Sequence, residues 1–322
     1  MTASPLVSLI VLNWNGERLL AECINSLSRL RYSPSEIIVV DNASADGSLA
    51  LLAAMQGITV VKNSANLGYA GGINAGMKAA RGTYVATLNN DITVDPEWLS
   101  ALISLMESDS AVGIASGRQM NYFDRDTIDA LYSFLHPSLI FFQEAFRKRY
   151  DPRVHGSGPA LVLGVSGAST IYRKKMFDEL QGLDETLFAF HEESDLCMRA
   201  FLAGWKCVYV PTAVAYHRRS VSFNRVRGTM FFYLTRNRLW FICKYSPFSL
   251  VLRNLGWLLF TELRILRYVV FRERVLFSYA RGIAHGLSGA ARFKAVRRRN
   301  MELLRIRSAE YETFRKRKFV PL

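Results

Sequence analysis

The first 90 residues alternate short apolar runs with segments of helical spacing, and this alternation restricts the fold more than any other feature of the chain. The expected strands occupy residues 7–12, 36–40, 58–61 and 83–88. The expected helices between them occupy residues 17–30, 46–55 and 70–80. Repeated βα units of this kind predict a mostly parallel sheet covered by helices on both faces. We therefore assign the chain to the α/β class.

Polar residues stand where three of these strands end. The first strand runs into Asn13, the second into Asp41, and the fourth into the triplet Asn89-Asn90-Asp91. Parallel strands end at the same edge of a sheet, and open α/β folds bind ligands there, so these side chains are expected to line a nucleotide-type crevice. Asp91 is the best candidate for a metal ligand, since a carboxylate suits a hard divalent cation.

The loops after these strands exclude two common nucleotide-binding motifs. Only one glycine, Gly16, follows the first strand, so the dinucleotide fingerprint is missing, and the Walker lysine motif does not occur. Asp41 is placed to accept hydrogen bonds from a base or ribose, although capping of the next helix explains Ser44 and Asp46 nearly as well. Gly71 could let the backbone approach a ligand or could serve close packing.

A second acidic cluster opens the helix expected at residues 193–203. It contains His191, Glu192, Glu193 and Asp195. These acids either complement the helix dipole on a solvated face or include a general base. The phenylalanines just before the cluster favour a general base, because apolar neighbours raise the pKa of a carboxylate towards the range that suits proton abstraction.

The charge of the chain is distributed unevenly. Residues 1–224 contain 19 Lys or Arg and 22 Asp or Glu, whereas residues 225–322 contain 22 basic and 5 acidic residues. Such asymmetry predicts an appended basic module that meets an anionic surface, either nucleic acid or anionic lipid. The 4 cysteines have no disulfide or zinc spacing and the N-terminus has no signal-peptide pattern, which favours a reducing cytosolic setting.

Aromatic residues and arginines are interspersed through residues 229–290. Charges interrupt the apolar runs there well before the roughly 18 residues that a membrane span needs. The pattern favours amphipathic helices lying in a membrane interface, where each Lys or Arg near an anionic leaflet contributes about 1 kcal/mol. In the alternative, the apolar face packs on the rest of the protein and the arginines are merely solvated.

Five segments in order resemble the family 2 glycosyltransferases of the GT-A fold, and especially their bacterial rhamnosyltransferase-like branch. They are residues 7–16, 39–48, 66–76, 88–91 and 192–200, within a resemblance that extends over residues 5–245. The resemblance implies a GT-A catalytic domain at residues 1–225, with a nucleotide-sugar half (1–118) and an acceptor half (119–225). Residues 226–322 are then a basic, amphipathic, helical region for membrane association.

The same resemblance implies which residues bind the nucleotide-sugar donor. Asp41 matches the residue that contacts the nucleobase, and Asn13 and Asn66 are expected nearby. Gly71 and Asn90 are expected to line the remainder of the donor site. These roles come from the family pattern and are expectations for this chain.

A divalent metal and a catalytic base are also implied. Asp91 resembles the last acid of the DxD motif, which holds Mg²⁺ or Mn²⁺ on the diphosphate. His217 ends a strand-like run at residues 213–217 and, taken alone, would more often be structural; it resembles a further metal ligand of this family. Glu193 matches the base that deprotonates the acceptor hydroxyl.

Two departures from the family pattern bear on these roles. Asn89 stands where the first DxD acid often stands, so the metal would depend on Asp91 for its carboxylate. The base position is usually an aspartate, whereas this chain has Glu193 after Glu192. The longer side chain moves the carboxylate, so Glu192 and Asp195 are alternatives for the base.

The expected activity is inverting transfer of a sugar to a lipid-linked or cell-surface glycan. L-Rhamnose from dTDP-rhamnose is the first expectation and a hexose from a UDP-sugar the second, with a polyprenyl-diphosphate-linked or glycan acceptor. The protein is expected to sit peripherally on the cytoplasmic face of a membrane with an anionic surface, without nucleic acid. The alternatives are a nucleotidyltransferase of similar fold and a nucleic-acid-binding protein that uses the basic C-terminal region.

Overall fold

One sheet of eleven described strands forms the centre of the protein. The computed structural model describes residues 4–219, 227–317 and 319–322. The strands are β1 Val7–Asn13, β2 Ser35–Asp41, β3 Ile58–Lys62, β4 Tyr84–Asn89, β5 Ile92–Val94, β6 Val112–Asn121, β7 Ile128–Ala130, β8 Ser133–Leu135, β9 Phe141–Gln143, β10 Ala160–Val162, β11 Ser169–Arg173, β12 Lys206–His217 and β13 Val320–Pro321. Of these, β8 and β9 form a separate hairpin.

The order across the sheet is β13-β10-β12-β6-β11-β4-β1-β2-β3, with β5 and β7 paired to β12 and β6. β1 is parallel to β2 and β4, and β2 is parallel to β3, as the alternation predicts. β11 lies antiparallel between β4 and β6, and β6 is parallel to β12. The α/β class with a mostly parallel sheet is confirmed, and β11 joins its two halves.

Helices cover both faces of the sheet. The helices are α1 Glu17–Leu27, α2 Ser48–Ala53, α3 Gly68–Ala79, α4 Trp98–Ser108, α5 Pro152–His155, α6 Lys174–Glu179, α7 Glu192–Leu202, α8 Arg227–Tyr245, α9 Phe248–Arg253, α10 Leu255–Tyr268, α11 Leu276–Gly289, α12 Lys294–Ile306 and α13 Ser308–Lys316. Along β1, Leu9 and Val11 enter the cluster beneath α1 and α4, and Ile10 enters the cluster beneath α3 and α6. Both faces of the strand are therefore buried, which explains its uninterrupted apolar sequence.

The region between β6 and β12 differs most from the sequence expectation. The apolar run at residues 162–165 predicts a strand, whereas the strand lies at 160–162, and each strand within residues 122–155 has only three residues. Strands this short show no readable alternation. The sequence predicts separate strand-like runs at residues 207–210 and 213–217, and β12 joins them with a shift of register against β6 between Val210 and Val214.

The C-terminal helices pack on α7 and return to the sheet. A third apolar cluster includes Met198 and Phe201 of α7, Phe241 and Tyr245 of α8, and Phe314 of α13. β13 pairs with β10 at the sheet edge. Part of the helical region is therefore packed, as the alternative interpretation required. The boundary expected at residue 225 falls outside the described residues.

Another part of the helical region remains exposed. No residue of α10 is buried. The exposed large apolar side chains between residues 248 and 277 are Phe248, Leu252, Leu255, Trp257, Leu259, Phe260, Leu263, Leu266, Tyr268, Phe271, Leu276 and Phe277. Among the helices that the structure describes, none combines the length and the apolar character needed to cross a membrane.

Candidate active site

Three of the predicted polar strand ends meet at the carboxyl edge of the sheet. Asn13 lies directly opposite Asp41 in the pairing of β1 with β2. Its Nδ2 donates to Asp41 Oδ1 at 3.1 Å, and its Oδ1 accepts from Asn90 Nδ2 at 2.8 Å. The second oxygen of Asp41 accepts from the backbone N–H of Ser44 at 3.0 Å. Asn13, Asp41 and Asn90 thus form one hydrogen-bonded group, buried at the edge where the sequence predicted a crevice.

Gly16 allows α1 to begin next to this group. A Cβ at Gly16 would lie 1.9 Å from Asn90 Nδ2 and 2.5 Å from Asn13 Oδ1, so no side chain fits there. Gly16 also caps α1, whose N–H groups at Leu19 and Leu20 donate to the Gly16 carbonyl. The single glycine after the first strand is therefore a packing requirement of the site.

Asn66 and Gly71 lie beside the next loop rather than in this group. Asn66 Oδ1 accepts from Gly68 N at 2.9 Å and from Asn42 Nδ2 at 3.1 Å, so its side chain closes a turn. A Cβ at Gly71 would lie 2.7 Å from Leu67 Cβ in the preceding turn. This crowding supports close packing as the reason for Gly71, the second of the two explanations left open by the sequence.

Asp91 and His217 come together although they are 126 positions apart in the sequence. β12 pairs with β5, which places His217 opposite Ile92, and His217 Nε2 lies 3.3 Å from Asp91 Oδ1. The other ring nitrogen, Nδ1, lies 2.7 Å from Asp129 Oδ2. Asp129 is 2% exposed and is also paired with Arg219. The imidazole is thus held between two carboxylates.

These carboxylates determine the protonation of His217. Burial disfavours the imidazolium ion, yet hydrogen bonds to Asp129 and Asp91 outweigh burial and raise the pKa of His217 to about 9. In this arrangement the ring is charged at neutral pH and donates from both nitrogens. A cation bound to Nε2 would take the place of that proton.

The donors present suit a metal that arrives with its own ligands. Among the described residues, no three His, Cys, Asp or Glu side chains are arranged to hold a metal ion. Asp91 and His217 offer one carboxylate oxygen and one imidazole nitrogen at adjacent positions. A divalent ion there would complete its shell with phosphate oxygens and water, which Mg²⁺ commonly does. The orienting carboxylate behind the histidine, Asp129, is the outer-shell partner that metal-ligating histidines usually have.

The acidic helix α7 has two different environments for its carboxylates. Asp195 accepts from Arg199 at 2.8 Å, from Lys244 at 2.7 Å and from the Tyr245 hydroxyl at 2.8 Å. Although burial opposes it, the charges of Arg199 and Lys244 lower the pKa of Asp195 to about 2. Asp195 is therefore an ion-pair anchor between α7 and α8, which disfavours it as a base.

Glu192 and Glu193 lie at the start of the same helix without such cations. Burial raises the pKa of both carboxyl groups, and the neighbouring Glu193 raises that of Glu192 further. One oxygen of Glu192 is buried without a hydrogen-bond partner. Glu193 packs beside Gly167, where an added Cβ would lie 3.4 Å from the Glu193 Cβ and Cγ atoms. The next residue, Ala168, accepts a hydrogen bond from Asn89 N at 3.0 Å, so Glu193 lies one short segment away from the strand that leads to Asp91.

Comparison with known proteins places this site in a family. The model of glycosyl transferase family 2 matches residues 8–181, more than half of the chain. The chain belongs to glycosyl transferase family 2. The match includes Asn13, Asp41, Asn66, Gly71 and the Asn90–Asp91 pair, and it ends before Glu193 and His217. The contact with Asp91 brings His217 to the site.

Relatives within family 2 are distant. The chain is 26% identical to the succinoglycan biosynthesis protein ExoO of Rhizobium meliloti over 69% of this chain and 63% of that protein. It is 27% identical to the N-acetylglucosaminyl-diphospho-decaprenol L-rhamnosyltransferase of Mycobacterium tuberculosis over 65% of this chain and 73% of that protein. For the first relatives it matches, the chain spans 25%, 63% and 36% of their length.

A solved structure supports the fold of this family 2 chain. The crystal structure of GalNAc-T7 with UDP, GalNAc and Mn²⁺ superposes with a TM-score of 0.62 at 15% identity, covering 76% of this chain and 49% of that chain. The likeness confirms the predicted GT-A fold.

Two site residues of this family 2 protein were missed by sequence reasoning. Asp129 could have been suspected as an acid within the apolar run Ile128 to Leu131, since a buried carboxylate requires a partner. Gly167 gave no signal, because its contact with Glu193 depends on how α7 packs against the sheet.

Proposed function

We propose that this protein is an inverting, metal-dependent glycosyltransferase that moves a sugar from a nucleotide-sugar to an acceptor hydroxyl. The observation that carries the proposal is the meeting of Asp91 with His217, at 3.3 Å, at the edge where Asn13, Asp41 and Asn90 also converge. This edge offers polar groups for a nucleoside and, beside them, a carboxylate–imidazole pair for a metal-bound diphosphate.

Asp91 and His217 are the residues that would hold Mg²⁺ or Mn²⁺. When bound, such an ion would neutralise charge on the leaving diphosphate. The Mn²⁺ in the GalNAc-T7 structure supports a divalent metal for the fold in general. Asp129 would keep the imidazole in orientation from behind, through its contact of 2.7 Å with Nδ1.

The donor site is proposed to be the Asn13, Asp41 and Asn90 group together with the loop of Asn66 and Gly71. Asp41 and Asn13 would contact the nucleobase, and Asn90 would connect that contact to the metal-bound phosphates. L-Rhamnose from dTDP-rhamnose is the first choice of donor because a rhamnosyltransferase is among the relatives, at 27% identity. A hexose from a UDP-sugar is the second.

Glu193 is proposed as the general base. It would take the proton of the acceptor hydroxyl while that oxygen attacks the anomeric carbon and the bond to the diphosphate breaks. One such displacement inverts the configuration at the anomeric carbon. Two contrasts support Glu193 over its neighbours. Asp195 is occupied by Arg199 and Lys244, and Glu192 is buried, whereas Glu193 is partly exposed.

The acceptor is proposed to be a polyprenyl-diphosphate-linked or other glycan at a membrane. The exposed apolar side chains of α9, α10 and α11 form a membrane-facing surface, which we define by Phe248, Trp257, Phe260, Leu263 and Phe277. Residues 248–281 contain six arginines and two acids. Apolar side chains beside arginines suit the interface of an anionic leaflet, such as the cytoplasmic face of a cell membrane. Binding of nucleic acid, the alternative role for this region, would not account for the exposed aliphatic side chains.

The test is a panel of nucleotide-sugars incubated with the full-length protein in Mg²⁺, in Mn²⁺ or with a chelator. We expect one donor, dTDP-rhamnose first, to release its nucleoside diphosphate only when metal is present. Formation of a nucleoside triphosphate and a sugar 1-phosphate when pyrophosphate is added would favour a nucleotidyltransferase instead. Metal-independent release, or none from any donor, would contradict the proposal.

A further inference from the structure

The loop between the short helix at Glu185–Leu187 and α7 has an unusual backbone. Three of its four residues, Phe188, Phe190 and His191, have positive φ angles of 64°, 71° and 69°. Phe188 also has ψ of −64°, and Ala189 N donates to Leu187 O at 2.8 Å, which together form a rare γ-turn of the strained kind. Residues other than glycine hold such conformations only where surrounding contacts impose them.

One side chain of α8 supplies those contacts. Asn237 is fully buried, and its Nδ2 donates to the carbonyls of Leu187 at 2.9 Å, Ala189 at 2.9 Å and Phe190 at 2.8 Å. Its Oδ1 accepts from Arg236 Nε at 2.9 Å, which fixes which end of the amide faces the loop. The Asn237 amide therefore donates hydrogen bonds to three carbonyl groups of the strained backbone.

Neighbouring contacts place the loop between α8 and the donor half of the site. Arg236 donates to the carbonyls of Thr186 and Leu187 at 2.8 and 3.0 Å. The ring of Phe188 stacks on Tyr233 of α8 with centroids 4.7 Å apart. On the opposite side the Phe188 carbonyl accepts from Ala70 N, in the first turn of α3, at 3.1 Å.

The loop ends where α7 begins, two residues before Glu193. His191, in the left-handed conformation, is the N-cap of α7, and its carbonyl accepts from Asp195 N at 2.8 Å. The direction in which α7 starts is therefore fixed by the conformation of the loop. Asn237 donates hydrogen bonds to three carbonyls of that loop.

We propose that Asn237 is a positioning residue for the base Glu193, so that α8 is a working part of the active site and not only an attachment to a membrane. The proposal rests on the proposed function for the role of Glu193. Loss of the amide releases the three carbonyls and lets the loop relax from its positive φ angles. The carboxylate of Glu193 then moves away from the acceptor, while the donor residues on the β1, β2 and β4 ends keep their places.

The test uses Asn237→Ala and Asn237→Asp, the second of which keeps the shape but carries no amide donor. Asn254→Ala is the matched control, because Asn254 is also a buried asparagine of the helical region whose Nδ2 donates to a backbone carbonyl, Leu250 O at 2.8 Å. Hydrogen exchange of the 187–193 segment measures the loop directly. Steady-state kinetics with the donor identified by the panel measures its consequence.

We expect faster exchange of residues 187–193 in both Asn237 variants and unchanged exchange there in Asn254→Ala. We expect kcat to fall about 100-fold, the size of effect that a misplacement of about 1 Å produces, while the KM for the donor stays within about threefold. Unchanged exchange in Asn237→Ala would overturn the proposal, and so would an equal loss of kcat in Asn254→Ala. If the wild-type protein transfers no sugar, the proposed function fails, and the exchange data still decide whether Asn237 holds the loop.

Discussion

At the scale of single residues, the carboxylates of the site differ in the groups that surround them. Asp195 is neutralised by two cations, Asp91 and Asp129 flank one imidazole, and the buried Glu192 is next to the partly buried Glu193. Paired carboxyl groups in different environments take different roles, because their pKa values diverge. Acidic residues would thus serve as anchor, proposed metal ligand and proposed base within one site.

Glu193→Gln tests the assignment of the base. The amide keeps the size of the side chain but cannot accept the proton, so transfer should fall by a factor of about 100 to 10,000, the usual contribution of a general base. Binding of the nucleotide, measured by calorimetry, should stay near that of the wild type because the donor residues are untouched. Glu192→Gln is the matched control and should retain most activity. A larger loss in Glu192→Gln than in Glu193→Gln would transfer the role to Glu192.

Asp129→Asn tests whether the carboxylate behind His217 matters for metal binding. Removing its charge should weaken the apparent affinity for Mn²⁺ by about 10- to 100-fold, the effect typical of an outer-shell partner. Nucleotide binding titrated at increasing Mn²⁺ measures this affinity. Asp126→Asn, an exposed acid of the same segment paired with Arg149, should have no effect. Equal Mn²⁺ dependence in Asp129→Asn and wild type would show that Asp129 is only structural.

The residues found from the sequence alone were those next to a strong local signal. Asn13, Asp41 and Asp91 follow readable strands, and the structure brings Asn13 and Asp41 together as expected. Asp129 was missed because its partner His217 lies 88 positions away, and the local signal, an acid inside an apolar run, does not identify that partner.

At the scale of secondary structure, an ion-pair network joins α7 to α8. Lys244 of α8 lies 2.7 Å from both Asp195 and Asp184, and Arg199 pairs with Asp195 from the other side. Removing one partner of a buried pair costs more than the pair contributes, because the remaining charge stays uncompensated. This network fixes α7 against the C-terminal region.

Asp195→Asn tests the network through its pH dependence. The pKa of Asp195 is about 2 in the folded protein, below its ordinary 3.8, so its contribution is present above about pH 4 and is lost as the pH falls towards 2. The variant should lose at least about 2 kcal/mol of unfolding free energy at neutral pH and show a flatter dependence below pH 4. Urea unfolding across a pH series measures both. The control is Asp178→Asn, which removes an exposed acid that is paired with Lys174 on α6 and should change neither the stability nor its pH dependence. If the stability of Asp195→Asn depended on pH as steeply as that of the wild type, the role of the network would be contradicted.

The elements that the sequence predicted well are those whose apolar residues recur at the regular spacing of a strand or a helix. The first four strands and their helices lie within a few residues of their expected bounds, because hydrophobic periodicity is local. The strand-like run at residues 213–217 was predicted, but its position was not, because the pairing with β5 and β6 joins distant parts of the chain. That pairing is what carries His217 to Asp91.

At the scale of the whole molecule, the protein presents two unlike surfaces. The carboxyl edge of the sheet gathers buried polar groups, while the membrane-facing surface exposes aromatic and aliphatic side chains among arginines. α8 connects the two, because it contacts the loop before Glu193 and packs against α11 through Tyr279 and Phe231. A protein built in this way would act on an acceptor held at a membrane.

Flotation with phosphatidylglycerol-rich vesicles tests the membrane-facing surface. The wild type should float with these vesicles and less with neutral ones, and the triple variant Trp257→Ser, Phe260→Ser, Leu263→Ser should remain unbound, because burial of about 1.5–3 kcal/mol per large apolar side chain is lost. The matched control changes Phe123 and Val154, which are exposed large apolar residues of the catalytic half, to serine. Flotation of the triple variant at the wild-type level would contradict the assignment, and tighter binding to duplex DNA would favour nucleic acid.

Calorimetry of nucleoside diphosphate binding tests the claim that Asp91 holds a metal on the diphosphate of the donor. For the wild type we expect binding that requires Mg²⁺ or Mn²⁺ and disappears with a chelator. Asp91→Ala should weaken metal-supported binding at least about 100-fold, or about 2.7 kcal/mol, whereas the surface variant Asp178→Ala should bind like the wild type. Metal-supported binding by Asp91→Ala at the wild-type affinity would contradict the claim.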